Sequence, residues 1–202
     1  MRHRAALGLA ILVALGSGAH AVPLNITVTD NAGKPLADAV VSVMVRGTPP
    51  LAAAGTSAQI AQRGRKFEPQ VTVIQTGTSV TLPNLDTVRH HVYSFSPIRR
   101  FELKLYAGTP AAPVLFDKPG TAVLGCNIHD RMTAWVHVVD TPYFAKTDAR
   151  GQATLDLPAG EHRLRVWHFL QPDSAPPHEQ PLRVATSPSG MAVKASLAVT
   201  EN

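Results

Sequence analysis

The sequence predicts an all-β protein of short strands, on three observations. Segments with strand-like alternation or β-branched runs recur along the chain, each bounded by a turn rich in Gly, Pro, Asn or Asp. No stretch beyond residue 21 has the period of a long amphipathic helix. The 202 residues include 17 Pro and 14 Gly, which favour turns over helices.

Composition narrows the classes further. At 45% hydrophobic and 16% charged, the chain is too apolar for disorder and long enough for one domain or two small ones. Its single cysteine excludes an intramolecular disulfide, a Cys-rich zinc site and an iron–sulfur cluster.

The elements follow in order. Arg2 and Arg4 precede the apolar run AALGLAILVAL (5–15), and Ala19-His20-Ala21 is a small-x-small site. This predicts a secretory signal peptide over 1–21, cleaved after Ala21, and hence a periplasmic protein. The run is too short to serve as a membrane span, and no later segment approaches membrane length. Two of the 19 basic residues lie in the leader, so the net charge falls from +5 to +3 on its removal. A balance that mild, without a dense Lys/Arg face, argues against nucleic-acid binding.

LNITVT (24–29) alternates as a strand, and Asp30-Asn31-Ala32-Gly33 is a turn. AVVSVMV (39–45) is a second strand, and the small residues of 47–61 read as a linker or crossing loop. Strands are then expected at 71–75, 80–82, 91–95, 101–106, 114–116, 121–125 and 135–139. The last block has strands at 153–157 and 162–169, a Pro-rich loop at 171–181, and strands near 182–185 and 192–199. Regular short strands with turns between them imply β-sandwiches or a barrel.

The chemistry centres on Cys126-Asn127-Ile128-His129-Asp130-Arg131-Met132. A thiolate, an imidazole and a thioether at i, i+3 and i+6 are soft or borderline ligands, suited to copper. A second imidazole comes from Asn84-Leu85-Asp86-Thr87-Val88-Arg89-His90-His91-Val92. Two His, one Cys and a weak axial Met make the blue-copper electron-transfer set. His90 and His91 compete for the upstream position. Strand neighbours point to opposite faces, so counting back from Phe95 as a core aromatic selects His91. Trp135 is expected either beneath the ligand loop or, by default, in the core, and His137 as a half-exposed strand residue; His162, His168 and His178 fit no ligand spacing and are expected at the surface or a sandwich edge.

In F-x-P-x-V-x-V (67–73), G-T-x-V-x-x-x-N-x-D-x-x-x-H-x-V (77–92) and P-G-x-x-x-x-x-C-x-x-H-x-x-M (119–132), the chain resembles cupredoxins of the plastocyanin/amicyanin type. The C-x2-H-x2-M spacing is similar to the short ligand loop of amicyanins. The whole chain resembles periplasmic plastocyanin-like proteins often labelled methylamine utilization proteins. The resemblance implies a Greek-key cupredoxin sandwich binding one type 1 copper through His90, Cys126, His129 and Met132, with His91 the alternative to His90. It implies a single-electron carrier, not an enzyme, that meets dehydrogenase or cytochrome-like partners transiently. Here Arg89 and Ile128 stand where that family often has Pro before each His ligand.

The flanks D-N-A-G-K-P-L-A-D-A-V-V-S-V (30–43) and T-D-A-R-G-Q-A-T-L-D-L-P-A-G-E-H-R-L-R-V (147–166) resemble a carboxypeptidase-regulatory-like or transthyretin-like sandwich. The expected division is therefore a cupredoxin domain at 61–140 and a split Ig/transthyretin-like sandwich at 22–60 and 141–202. Copper delivery without electron transfer, and a binding module with a degenerate site, are the alternative functions. A Cys–His nucleophilic enzyme has less to support it, because such chemistry makes no use of Met132.

Overall fold

The structure, a computed structural model, describes residues 21–172, 175, 177–185 and 190–200. The expected leader, apart from Ala21, lies outside the described residues. Among those residues every regular element is a strand, and no helix is long and apolar enough to cross a membrane.

The chain begins in one pair of sheets. Strand β1 (Ala21–Asp30) pairs antiparallel with β14 (Gln152–Pro158) and parallel with β17 (Met191–Leu197). The companion sheet has the order β13 (Phe144–Lys146), β2 (Val40–Met44), β15 (Gly160–Trp167), β16 (His178–Val184). Alternation along β1 buries Val22, Leu24, Ile26 and Val28 in one cluster with Val41, Val43, Leu164, Val166, Leu182 and Val184. Each such side chain stabilises the fold by about 1.5–3 kcal/mol. Strand β16 starts inside the segment expected to be a Pro-rich loop. Pro181 is tolerated there because β16 is an edge strand, where a missing N–H need not interrupt the sheet.

Between β2 and β13 the chain builds a second pair of sheets. One has the order β10 (Val114–Phe116), β7 (Thr78–Thr81), β3 (Ser57–Gln59). The other has the order β6 (Val71–Gln75), β12 (Thr133–Val139), β11 (Gly120–Cys126), β8 (His90–Ser94), β9 (Phe101–Tyr106). A hairpin of β4 (Ala61–Arg63) and β5 (Lys66–Glu68) stands beside them. Their shared core holds Ile60, Phe67, Val80, Val92, Phe116, Leu124 and Val136, together with Cys126 and Met132. The segment 47–61, expected as a linker, contains β3, which pairs parallel with β7. Leu51 also bridges Thr76. The chain thus joins these sheets upstream of residue 61. Ser-Ala-Gln carries no hydrophobic alternation, so tertiary pairing alone makes it a strand.

The two sheet pairs meet through β12 and β15. Ala134, Val136 and Val138 of β12 enter the second core, so Trp135 and His137 face outward. Trp135 packs on Phe169 with ring centroids 4.7 Å apart, and His137 stacks on Trp167 at 4.5 Å and 13°. The expectation that Trp135 lies beneath the ligand loop is corrected: strand alternation sends it to the opposite face. Val40, Val71 and Val139 are buried in the same seam. Lys146 Nζ spans it, donating to the Asp38 carboxylate and to the Val71 carbonyl. His168, expected at the surface or a sandwich edge, is buried, with Nε2 3.0 Å from the Ala37 carbonyl.

Burial pushes the pKa of His137 down from 6.5 to about 4. Unfolded chain takes up a proton near 6.5, whereas the folded chain resists protonation until about 4. Stability is therefore complete above the unfolded value and is lost as pH falls through this window, by up to about 3 kcal/mol. Urea unfolding of the metal-free protein across the window, for wild type and H137F, checks this. The variant should show a shallower pH dependence, and equal slopes would exclude His137 as the source.

Candidate metal centre

Three side chains from two separated segments converge at one end of the second pair of sheets. His90 opens β8 and Cys126 ends β11, and these strands are neighbours, with Cys126 paired to Val92. The Asn127 N–H donates to the His91 carbonyl at 3.1 Å, extending the pairing just past Cys126. The chain then turns, and the Met132 N–H donates back to the His129 carbonyl at 2.9 Å. That short turn returns His129 over the thiol.

The geometry is close and nearly symmetric. Cys126 Sγ lies 3.7 Å from Nδ1 of His90 and 3.7 Å from Nδ1 of His129. One donor atom from each of the three residues lies within 4.8 Å of the others. The imidazole rings are tilted, with centroids 5.1 Å apart. Metal–nitrogen and metal–sulfur bonds of about 2.0 and 2.3 Å would open an angle of roughly 120° at an ion shared across a 3.7 Å gap. One sulfur and two nitrogens in that arrangement fit the trigonal His2Cys pattern that copper takes. His90 and Cys126 are buried, and His129 is half-buried, so the cluster has one edge near solvent. Met132 is buried in the same cluster as Cys126.

His90, and not His91, stands beside the thiol. His91 faces the other side of the strand, with Nε2 2.9 Å from Glu102 Oε1 but out of line for a hydrogen bond. Its ring meets Tyr93 edge-on at 6.3 Å. The count from Phe95 misleads because Phe95 is 71% exposed and marks no core position. Tyr93 instead lies over Gly125, where a Cβ would come within 2.7 Å of the phenol ring. A side chain at position 125, next to the cysteine, would therefore force the Tyr93 ring to move.

Sequence patterning assigned no role to Asp86, which holds His90 from behind. Its Oδ2 is 2.8 Å from His90 Nε2, leaving Nδ1 facing the thiol. The same carboxylate accepts the N–H groups of Gly64 and Arg65, at 2.6 and 3.0 Å, at the tip of the β4–β5 hairpin. Burial acts to raise the Asp86 pKa, but the Arg65 N–H, His90 and the Gly64 N–H together hold it below the ordinary 3.8. The i, i+4 spacing of Asp86 and His90 was the available signal. Asn84 anchors the loop, donating from Nδ2 to the carbonyls of Val88 and Tyr106 and accepting the Asp86 N–H.

A buried polar network lies on the same side. Tyr106, paired across the strands with His90, donates its hydroxyl to the Leu82 carbonyl at 2.7 Å. The Gln62 amide donates to that hydroxyl at 2.6 Å. Burial pushes the Tyr106 pKa from 10.0 up to about 12; the Gln62 bond opposes this and the nearby Cys126 charge adds to it. The phenol therefore stays protonated and acts as a fixed donor.

No family model and no curated protein matches the chain. Solved structures do. A purple cupredoxin from Nitrosopumilus maritimus aligns at 25% identity and TM-score 0.37, over 40% of this chain and 98% of its own. A copper-containing nitrite reductase from Thermus scotoductus aligns at 24% and TM-score 0.38, over 44% of this chain and 25% of its own. A reduced amicyanin variant aligns at 21% and TM-score 0.36, over 48% of this chain and 98% of its own.

Proposed function

We propose that the protein is an exported, periplasmic carrier of single electrons that would hold one type 1 copper through Cys126, His90 and His129, with Met132 as a weak fourth donor. The observation that carries this reading is the thiol set 3.7 Å from two imidazole Nδ1 atoms, with His90 and Cys126 on neighbouring strands and His129 on the turn that follows β11. Copper held there supplies a one-electron couple between Cu(I) and Cu(II). Cys126 would ligate as the thiolate, so its thiol must first lose a proton. Asp86 keeps the His90 ring oriented and its Nε2 proton placed, the usual part of a carboxylate behind a ligating imidazole. The enclosed thiol and the ties at Asn84, Asp86 and Asn127 limit movement of the donors, so a change of charge needs little rearrangement.

His129 is the half-buried edge of the cluster and the point nearest a partner. On the two segments that carry the imidazoles, Leu85, Val88 and Ile128 are exposed apolar side chains, Arg89 and Arg131 are exposed cations, and Asp130 is an exposed carboxylate. Such a surface suits brief contact over a small area with an acidic dehydrogenase or cytochrome-like protein. In this reading the cluster sits in a domain of its own, inserted between the halves of the β1–β2 and β13–β17 sandwich.

Addition of Cu(II) to the purified protein is expected to give an intense visible thiolate-to-copper band at one copper per chain. The band should vanish in C126S, and voltammetry should show reversible one-electron cycling. A folded protein with its thiol reduced and no such band would overturn the copper assignment. Stoichiometric copper without reversible cycling would point to copper delivery instead.

A further inference from the structure

A second feature lies away from the metal cluster, in the seam between β12 and β15. A cleft of about 770 Å³ opens there, within the range of small-molecule sites, about 300–1,000 Å³. Besides His168 and His178, its walls carry four rings from the two sheet pairs: Trp135 and His137 on β12, Trp167 at the end of β15, and Phe169 just beyond. The rings are arranged as two close pairs, Trp135 on Phe169 and His137 flat on Trp167. All four are half-buried, so none is fully consumed by the packing of the seam.

Charge decides what class of molecule fits. Asp140, Arg165 and Glu179 line the same cleft. Arg165 Nε is 2.6 Å from Glu179 Oε1, and its Nη1 is 3.3 Å from Asp140 Oδ1. Arg163 adds a second guanidinium, 3.5 Å from Glu179. Arg163 lies outside the lining, but with Arg165 it leaves neither carboxylate of the cleft unpaired. The imidazole of His137 is uncharged at neutral pH and is held 2.9 Å from the Thr121 hydroxyl. An entering ion would have to break an existing pair. Flat apolar surface is what remains, and it is complementary to another flat ring through offset stacking.

We propose that this cleft binds a small, uncharged, planar aromatic molecule. The site is independent of the copper reading, since none of its residues belongs to the metal cluster.

Both tryptophans of the chain line the cleft, so occupancy reads directly in intrinsic fluorescence. The purified protein is titrated with coumarin as the neutral probe, N-methylquinolinium as the cation and 2-naphthoate as the anion, with circular dichroism to confirm folding. Coumarin should quench saturably at one site, and both ions should bind at least about tenfold more weakly. W167A should weaken coumarin binding by about tenfold or more. F169A, which lies outside the strands, gives the same test should W167A fail to fold. Absence of saturable quenching by any probe would overturn the site. Tighter binding of either ion would overturn the ligand class. Unchanged coumarin affinity in folded F169A would overturn the placement.

Discussion

His90→Ala is expected to remove the intense visible band of the copper-loaded protein, whereas His91→Ala leaves it in place. The two residues are adjacent and of one type, so composition and propensity are matched. What separates them is the side of the strand. His90 Nδ1 faces Cys126 Sγ at 3.7 Å, while His91 faces Glu102 and Tyr93. Loss of one of two imidazoles opens the buried side of the cluster and leaves Cys126 with one imidazole and the weak donor Met132. The measurement is absorption of each variant after addition of one equivalent of Cu(II). An intact band in folded H90A, or its loss in H91A, would invert the assignment.

Asp86→Ala is expected to lower copper affinity by about 10- to 100-fold without removing a ligand, the cost typical of losing the carboxylate behind a ligating imidazole. The effect has two physical sources. The His90 ring loses the partner that holds its tautomer, and the Gly64 and Arg65 N–H groups lose their acceptor. Asp86→Asn should fall between wild type and D86A, because its amide oxygen accepts one bond but no longer carries the charge. Competition with a chromophoric Cu(I) chelator measures the affinity, and the position of the visible band reports ring orientation. Equal affinity and an unshifted band in D86A would show that strand packing alone holds His90.

The candidate site was legible in the sequence to an unusual degree, for a local reason. Cys126, His129 and Met132 sit on one short turn, so their spacing nearly is their geometry. The long-range partner was legible only as a choice of two, because parity along a strand needs a reference residue. Phe95 was a poor one: it is hydrophobic, yet 71% exposed at the end of its strand. Asp86 was visible as a letter in the frame but not as a function, since an i, i+4 carboxylate outside a helix has no fixed direction until its loop is tied down. Here Asn84 and the β4–β5 hairpin tie it.

The same division holds for the fold. Strands β6, β9 and β10 were readable to the residue, because β-branched or alternating apolar residues between turns have one stable use. Strand β3 was not, because Ser57–Gln59 becomes a strand only when β7 offers its edge.

The sequence by itself determined that this is a β protein and placed its one thiol between ligand-type neighbours. Both follow from local periodicity and spacing, which the chain carries in any conformation. Tertiary structure alone decided which histidine faces the thiol, which carboxylate stands behind it, and that Trp135 and His137 turn outward to line a cleft against Trp167 and Phe169. Those outcomes depend on strand register and on the approach of segments far apart in the chain.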